Sequence, residues 1–111
     1  MEQDRRRTPR YPFAANAELT VANVTEPVKG RVTELSLNGC FVTITNTLPK
    51  GTPVGVKINT ETEFFEANGS VVYSQPDEGI GLMFLETKPY YLSVLKKWVL
   101  SAMLGKGKPI G

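Results

Sequence analysis

Short segments in which apolar and polar residues alternate follow one another through most of this 111-residue chain. A period of two over segments separated by turn residues is typical of antiparallel β-strands. The positions predicted to share one face of each strand are Ala15, Ala17, Leu19 and Val21; Val28, Gly30 and Val32; Cys40, Val42 and Ile44; Val54, Val56 and Ile58; Phe65, Ala67, Gly69, Val71 and Tyr73; and Ile80, Leu82 and Phe84. Short strands of this kind usually close into a barrel, because closure removes exposed edges. The pattern therefore predicts a mainly all-β protein.

The period changes to that of a helix near the C-terminus. From Lys88 to Leu104, the apolar residues fall on one broad helical face. They are Tyr91, Leu92, Leu95, Trp98, Val99, Ala102 and Met103. Thr87 is the expected N-cap, Pro89 suits the first turn, and Gly105 suits the C-terminal stop. We expect this helix to pack on the barrel and complete the core, with partner binding as the alternative.

Composition and length predict one globular domain. Apolar residues make up 41% of the chain and charged residues 22%, and no apolar run approaches the roughly 20 residues of a membrane span. We predict a domain at residues 13–104, preceded by a flexible arm at 1–12 and followed by a frayed tail at 105–111. The single cysteine, Cys40, cannot form an internal disulfide, and the basic N-terminus has no apolar stretch typical of a secretory signal. A cytoplasmic protein is expected.

The chain contains no histidine, and this absence narrows the possible functions. Histidine is the most frequent general base near neutral pH, and it is required in Ser/His/Asp and Cys/His nucleophile systems. One cysteine cannot build a thiolate zinc site either. No pair of acidic residues lies in a context that indicates acid–base catalysis. We therefore predict that the chain is not an enzyme and holds no metal.

Four of the thirteen basic residues lie within six positions of the N-terminal segment: Arg5, Arg6, Arg7 and Arg10. A run of charge is usually a solvated tail. Here all four residues are arginines, whose planar guanidinium group suits bidentate phosphate contacts and stacking on bases. Pro9 and Pro12 also favour an extended backbone around Arg10. The segment indicates a nucleotide or another phosphate ligand.

Two short motifs, RRTPR at residues 6–10 and ELSLNG at residues 34–39, occur in an order and at a spacing that resemble those of the PilZ domain family. Residues 6–10 match the RxxxR motif of that family, and a first strand follows as it does there. Residues 34–39, with sequence ELSLNG, are similar to its second motif, which begins with Asp or Asn and continues as xSxxG. The strand at residues 79–84, GIGLMF, is also like the family. The resemblance covers residues 5–100 and implies a six-stranded antiparallel PilZ-type β-barrel with a C-terminal α-helix.

The resemblance also implies a ligand, the bacterial second messenger cyclic di-GMP, with no other cofactor. Arg6 and Arg10 would clamp phosphate or donate to guanine O6 and N7, each such bidentate pair contributing about 1–3 kcal/mol of discrimination. Arg5, just before the motif, is expected to stack on a guanine of a second ligand molecule. We expect the arm to be mobile without ligand and ordered with it, which would create a signal that a partner can read.

The second motif would supply the opposing side of the site. Ser36, Asn38 and Gly39 are expected to form a turn whose hydroxyl and backbone N–H groups meet phosphate or base edges, with Gly39 allowing close approach or a positive φ. Glu34 would accept the N1–H and N2–H groups of guanine. It occupies the position where the family has Asp or Asn, so its carboxylate lies one methylene farther from the backbone. The alternative for Glu34 is an exposed strand-end residue without ligand contact.

Three functions remain open at this point. The favoured one is a cyclic di-GMP receptor that acts on an effector protein of the motility, polysaccharide-synthesis or transcription machinery. The second is a PilZ-like adaptor that has lost or weakened ligand binding and contacts protein only. The third, a nucleic-acid-binding barrel, is disfavoured because no strand shows paired exposed aromatic residues, and Phe64 alone is not a stacking platform. Membrane insertion is not expected.

Overall fold

The computed structural model describes residues 9–105, which form six strands and one helix. The elements are β1 (Tyr11–Thr20), β2 (Val28–Leu35), β3 (Gly39–Thr43), β4 (Pro53–Asn59), β5 (Phe64–Gln75), β6 (Gly79–Glu86) and α1 (Pro89–Met103). The strands are antiparallel and close into a barrel in the order β1-β2-β3-β6-β5-β4, with β4 returning to β1. The predicted barrel with a C-terminal helix is confirmed.

The first strand begins two residues before the predicted domain boundary at residue 13. Tyr11 pairs with Leu35 and Pro12 pairs with Glu34, so both residues are already part of the sheet. Most of the predicted arm, residues 1–8, and nearly all of the predicted tail, residues 106–111, lie outside the described residues.

The barrel interior is filled by the apolar positions of the alternating pattern. Leu19, Ile58 and Phe65 are fully buried there, as are residues from each of the other three strands. Phe13, which the sequence analysis did not include, continues the inward series of β1 towards the helix. Burial of side chains of this size stabilises the fold by about 1.5–3 kcal/mol each.

Four register shifts interrupt the strand pairing of the barrel, and two of them, bulges in β2 and β5, decide which way Glu34 and Tyr73 point. In β2, Val32 pairs with Val42 but Glu34 pairs with Phe41, so Thr33 is an extra residue without its own partner. A bulge of this kind shifts the alternation by one position. Val32 and Leu35 are consequently both buried, while Glu34 points outward and is partly exposed.

The second bulge corrects the prediction for Tyr73, which the alternating pattern placed on the same face as Val71. Val71 pairs with Leu82 and Tyr73 pairs with Gly81, so Val72 is the extra residue. Val71 remains inside the barrel, but a Cβ built outward on Gly81 would meet the Tyr73 ring at 2.4 Å. Tyr73 therefore lies on the outer surface.

The helix α1 packs its buried face against β1 and β5, and the Trp98 ring stacks on Phe13 with 5.3 Å between ring centroids. Its N-cap is Lys88, not Thr87, and no side chain caps the first turn. Met103, predicted on the packed face, is 53% exposed because the buried stripe instead includes Val94. Within the described residues there is no helix long and apolar enough to cross a membrane.

A glutamate in the β4–β5 turn anchors the helix to the barrel. The Glu63 carboxylate accepts a hydrogen bond from Trp98 Nε1 at 3.1 Å and another from Lys97 Nζ. The hydrogen bond from Lys97 is the main reason that the pKa of Glu63 lies below its ordinary value, with Trp98 and the Lys97 charge adding to the effect against partial desolvation. The contact satisfies an indole N–H that would otherwise be buried without a partner.

We expect Glu63→Ala to lower the free energy of unfolding by about 1–3 kcal/mol, because the Trp98 N–H would lose its acceptor in a buried position. Glu63→Gln should cost less, because its amide oxygen can still accept from Trp98. The measurement is urea denaturation at pH 7, with Glu61→Gln in the same turn as the control.

Urea denaturation of the parent and of Glu63→Gln at several pH values separates the contribution of the Glu63 charge from that of its hydrogen bond with Trp98. Since the folded-state pKa of Glu63 lies below its unfolded value near 4.5, the parent should keep this stabilisation above that pH. It should lose the stabilisation as pH falls through the folded-state pKa. The Glu63→Gln variant should lack this pH-dependent part of the free energy of unfolding. An identical pH dependence in parent and variant would contradict the assignment to Glu63.

Candidate ligand-binding site

The structure brings together five of the seven predicted site residues. Arg10 lies just before β1, and Glu34 is near the end of β2. Ser36 and Asn38 lie in the β2–β3 connection, and Gly39 begins β3. The pairing of Tyr11 with Leu35 places Arg10 beside that connection. The other two, Arg5 and Arg6, lie outside the described residues.

A row of paired residues crosses four neighbouring strands on the outer surface of the barrel. Glu34 pairs with Phe41, Phe41 pairs with Gly81, and Gly81 pairs with Tyr73. We refer to Glu34, Phe41, Gly81 and Tyr73 as the outer row. Both ends of the outer row face outward because of the bulges at Thr33 and Val72.

The Arg10 guanidinium joins the two ends of the outer row. Its Nη1 donates a hydrogen bond to the Tyr73 hydroxyl at 2.7 Å, and its Nε lies 3.5 Å from Glu34 Oε1. The side chains of Arg10 and Glu34 are 31% and 46% exposed, so water screens their attraction. Arg10 is thus held over the barrel at the point where the arm joins β1.

Two aromatic rings beside Arg10 were missed by the sequence analysis as site residues. Phe41 and Tyr73 stack with their ring centroids 6.0 Å apart. The rings rest on two glycines of β6, since an added Cβ would meet the Phe41 ring at 2.9 Å from Gly79 and the Tyr73 ring at 2.4 Å from Gly81. Alternating glycines in a strand are the one sequence signal that could have indicated a surface covered by rings.

Ser36 organises the β2–β3 connection from within. It is 4% exposed, and its hydroxyl oxygen accepts hydrogen bonds from the backbone N–H groups of Asn38 and Gly39, each at 3.1 Å. Its own N–H donates to the Gly39 carbonyl at 2.9 Å. The hydroxyl and the two N–H groups that were expected to meet a ligand therefore bind one another.

Gly39 is required for close approach and not for an unusual backbone angle. An added Cβ would lie 1.9 Å from the Leu82 carbonyl oxygen on β6, and Gly39 is not among the glycines with positive φ. The Phe84 N–H also donates to the Asn38 carbonyl at 2.7 Å. These contacts fix the connection against β6, with Asn38 exposed at its surface.

The part of the site that the structure describes is an exposed surface with the Arg10 cation, the Glu34 carboxylate, an aromatic pair and a polar turn. Such a surface suits a flat, anionic molecule that needs both charge and stacking contacts. Within residues 9–105, no group of three His, Cys, Asp or Glu side chains could hold a metal ion. Cys40 is buried, which raises the pKa of its thiol to about 12 and leaves it unreactive.

The contacts of Ser36 predict a structural effect that is independent of any ligand. Ser36→Ala should lower the free energy of unfolding by about 1–3 kcal/mol, because the Gly39 N–H is buried and would lose its acceptor. Urea denaturation without ligand measures this, with Ser93→Ala on the exposed face of α1 as the control. If both variants were as stable as the parent, the turn would not depend on the hydroxyl.

The chain matches the family model described as the PilZ domain over residues 4–101. Among solved structures, the PilZ domain with c-di-GMP of YcgR from Escherichia coli is similar at a TM-score of 0.74 and 16% identity, covering 92% of this chain and 94% of that one. The structure of the Bacillus subtilis inhibitor of motility (MotI/DgrA) is similar at a TM-score of 0.74 and 14% identity, covering 96% of this chain and 55% of that one.

The PilZ domain of CeSA from a cellulose-synthesizing bacterium matches at a TM-score of 0.65 and 19% identity, covering 84% of this chain and 96% of that one. A search of curated proteins gave no significant match. These structural likenesses are to one fold, and the family model spans most of the chain and includes both motifs. The chain therefore belongs to the PilZ domain family.

Proposed function

We propose that this protein is a non-catalytic receptor for cyclic di-GMP. The observation that carries the proposal is the meeting of its two motifs, which are distant in sequence. Arg10, the second arginine of RxxxR, lies across the outer row beside the turn formed by Ser36, Asn38 and Gly39. The YcgR domain of similar fold is described with c-di-GMP.

The ligand chemistry fits the surface around Arg10. Cyclic di-GMP has two phosphates and two flat guanines, so arginines can bind phosphate, donate to guanine, or stack on a base. We assign these contacts to Arg6 and Arg10, with Arg5 stacking on a second ligand molecule. The rings of Phe41 and Tyr73 offer an additional stacking surface next to Arg10.

The turn of the second motif contributes in two ways. Because Ser36 and Gly39 are buried and hydrogen-bonded to each other, we propose that they hold the shape of the turn. Asn38 is exposed, and we propose that its side chain contacts the ligand. The carboxylate of Glu34 lies within the same surface, 3.5 Å from Arg10.

The proposed output is a change in the arm that an effector protein reads. Binding would fold the arm over the outer row and replace one exposed surface with another. The effector would belong to the motility, polysaccharide-synthesis or transcription machinery, and the proposed place of action is the cytoplasm. A PilZ-like adaptor with lost or weakened ligand binding is the alternative, and the ligand titration separates the two.

Calorimetric titration with cyclic di-GMP tests the proposal, with GTP and a short oligonucleotide as control ligands. We expect binding of cyclic di-GMP only, with two molecules per chain if Arg5 stacks as proposed. Arg6→Ala and Arg10→Ala should each weaken binding at least tenfold, because each removes charge-assisted contacts while removing little packing.

Arg31→Ala is the matched control, since Arg31 is an exposed arginine of β2 that donates to Asn16 outside the proposed site. Its affinity should equal that of the parent, and all three variants should keep the parent's melting temperature. No heat of binding from the parent would favour the adaptor, and tight binding by Arg10→Ala would remove Arg10 from the site.

Amide hydrogen exchange tests the proposed role of the arm. We expect residues 5–10 to exchange rapidly without ligand and to become protected with cyclic di-GMP, because ligand phosphates neutralise the repulsion among the arginines. Strand β4, which carries no residue of the proposed site, serves as the internal reference, since its exchange should change little. Strong protection of residues 5–8 before ligand is added would contradict an ordering switch.

A further inference from the structure

Glu34 contacts the same Arg10 guanidinium that, in the proposed function, binds the ligand. Arg10 Nε lies 3.5 Å from the Glu34 carboxylate, while its Nη1 donates to the Tyr73 hydroxyl at 2.7 Å. A phosphate that arrives at Arg10 would therefore find it already facing a negative charge.

The length of the Glu34 side chain is what allows this contact. The bulge at Thr33 turns Glu34 to the outer surface, where Pro12 and Phe41 are its strand neighbours. Asp at the same position would end about 1.5 Å nearer the backbone, which lengthens the 3.5 Å contact by up to that amount and weakens the ion pair with Arg10.

Tyr73 differs from Glu34 in that it is neutral. A phenol oxygen accepts one hydrogen bond without competing for the charge, and a guanidinium has five N–H donors. Arg10 can therefore keep its bond to Tyr73 while other donors bind a phosphate. The Glu34 carboxylate, in contrast, competes with an anionic ligand for the same cation.

We propose that Glu34 and Tyr73 are positioning residues of Arg10 that act with opposite sign on ligand affinity. Tyr73 holds the guanidinium in place over the outer row, and Glu34 serves as an internal anion that the ligand phosphate must displace. This inference rests on the proposed function, and it gives Glu34 a role opposite to that of a guanine-reading residue.

Titrations of variants with cyclic di-GMP distinguish the two roles by the direction of the change. Glu34→Gln keeps the size of the side chain and removes its charge, so it should bind about three- to fivefold more tightly. Glu34→Asp should also bind more tightly, as it would under guanine recognition, so the direction of the Glu34→Gln effect decides between the two roles. Weaker binding by Glu34→Gln would overturn the proposal and support guanine recognition by Glu34.

Tyr73→Phe should bind about threefold more weakly, because it keeps the ring and loses the hydrogen bond to Arg10. Gly81→Ala provides a second variant, since its Cβ would lie 2.4 Å from the Tyr73 ring and displace it. Unchanged affinity in both variants would remove Tyr73 from the proposal.

Two controls separate an effect through Arg10 from general charge repulsion. Glu78→Gln, in the β5–β6 turn, makes the same change in net charge and should leave the affinity unchanged. In an Arg10→Ala background, titrated at higher ligand concentration, Glu34→Gln should give no gain. A gain of equal size in that background would show that Glu34 acts by repulsion alone.

A measurement without ligand distinguishes failure of this inference from failure of the proposed function. The Arg10 Nε–H signal in nuclear magnetic resonance should exchange slowly with water in the parent and faster in Glu34→Gln. If the parent and Glu34→Gln both fail to bind cyclic di-GMP, the proposed function and the competition are both wrong, although this signal would still show the contact. Binding by Glu34→Gln alone would support the competition strongly.

Discussion

Closure of the barrel through β1 is the constraint on which the rest of the structure depends. β1 pairs with β2 along one edge and with β4 along the other, so no strand can shift its register without breaking a neighbouring pair. An extra residue in one strand is then accommodated as a bulge. The bulges at Thr33 and Val72 place Glu34 and Tyr73 on the outer surface.

The shape of the outer surface depends on the glycines of β6 as much as on the side chains of the neighbouring strands. Gly79 and Gly81 have no side chains to separate the Phe41 and Tyr73 rings from the sheet, so both rings lie close to the backbone. Gly39 allows the β2–β3 connection to approach β6 in the same way. The result is a shallow surface beside the arm, which suits a flat ligand.

The contacts that hold the helix on the barrel are different from those that hold Arg10 on the outer surface. The helix is held by the stacking of Trp98 on Phe13 and by the hydrogen bond from Trp98 to Glu63, on the buried side of β1 and in the β4–β5 turn. Arg10 contacts the outer surface through Glu34 and Tyr73. Neither of these two contacts of Arg10 involves Trp98, Phe13 or Glu63, the residues that hold the helix on the barrel.

The sequence by itself determined the six strands, the closed barrel and the helix, because alternation with a period of two or 3.6 reports which residues must be buried. It also predicted Arg10 and the Ser36–Gly39 turn as parts of a ligand site from two short motifs, and the structure brings these residues together. The alternating pattern placed Tyr73 inside the barrel, and only the tertiary structure showed that a bulge turns it outward. The motif predicted a ligand contact for Ser36, and only the tertiary structure showed its hydrogen bonds within the turn. The reason is physical: bulges and close approaches arise between strands that are distant in sequence, so no local pattern can show that Glu34 and Tyr73 meet on one arginine.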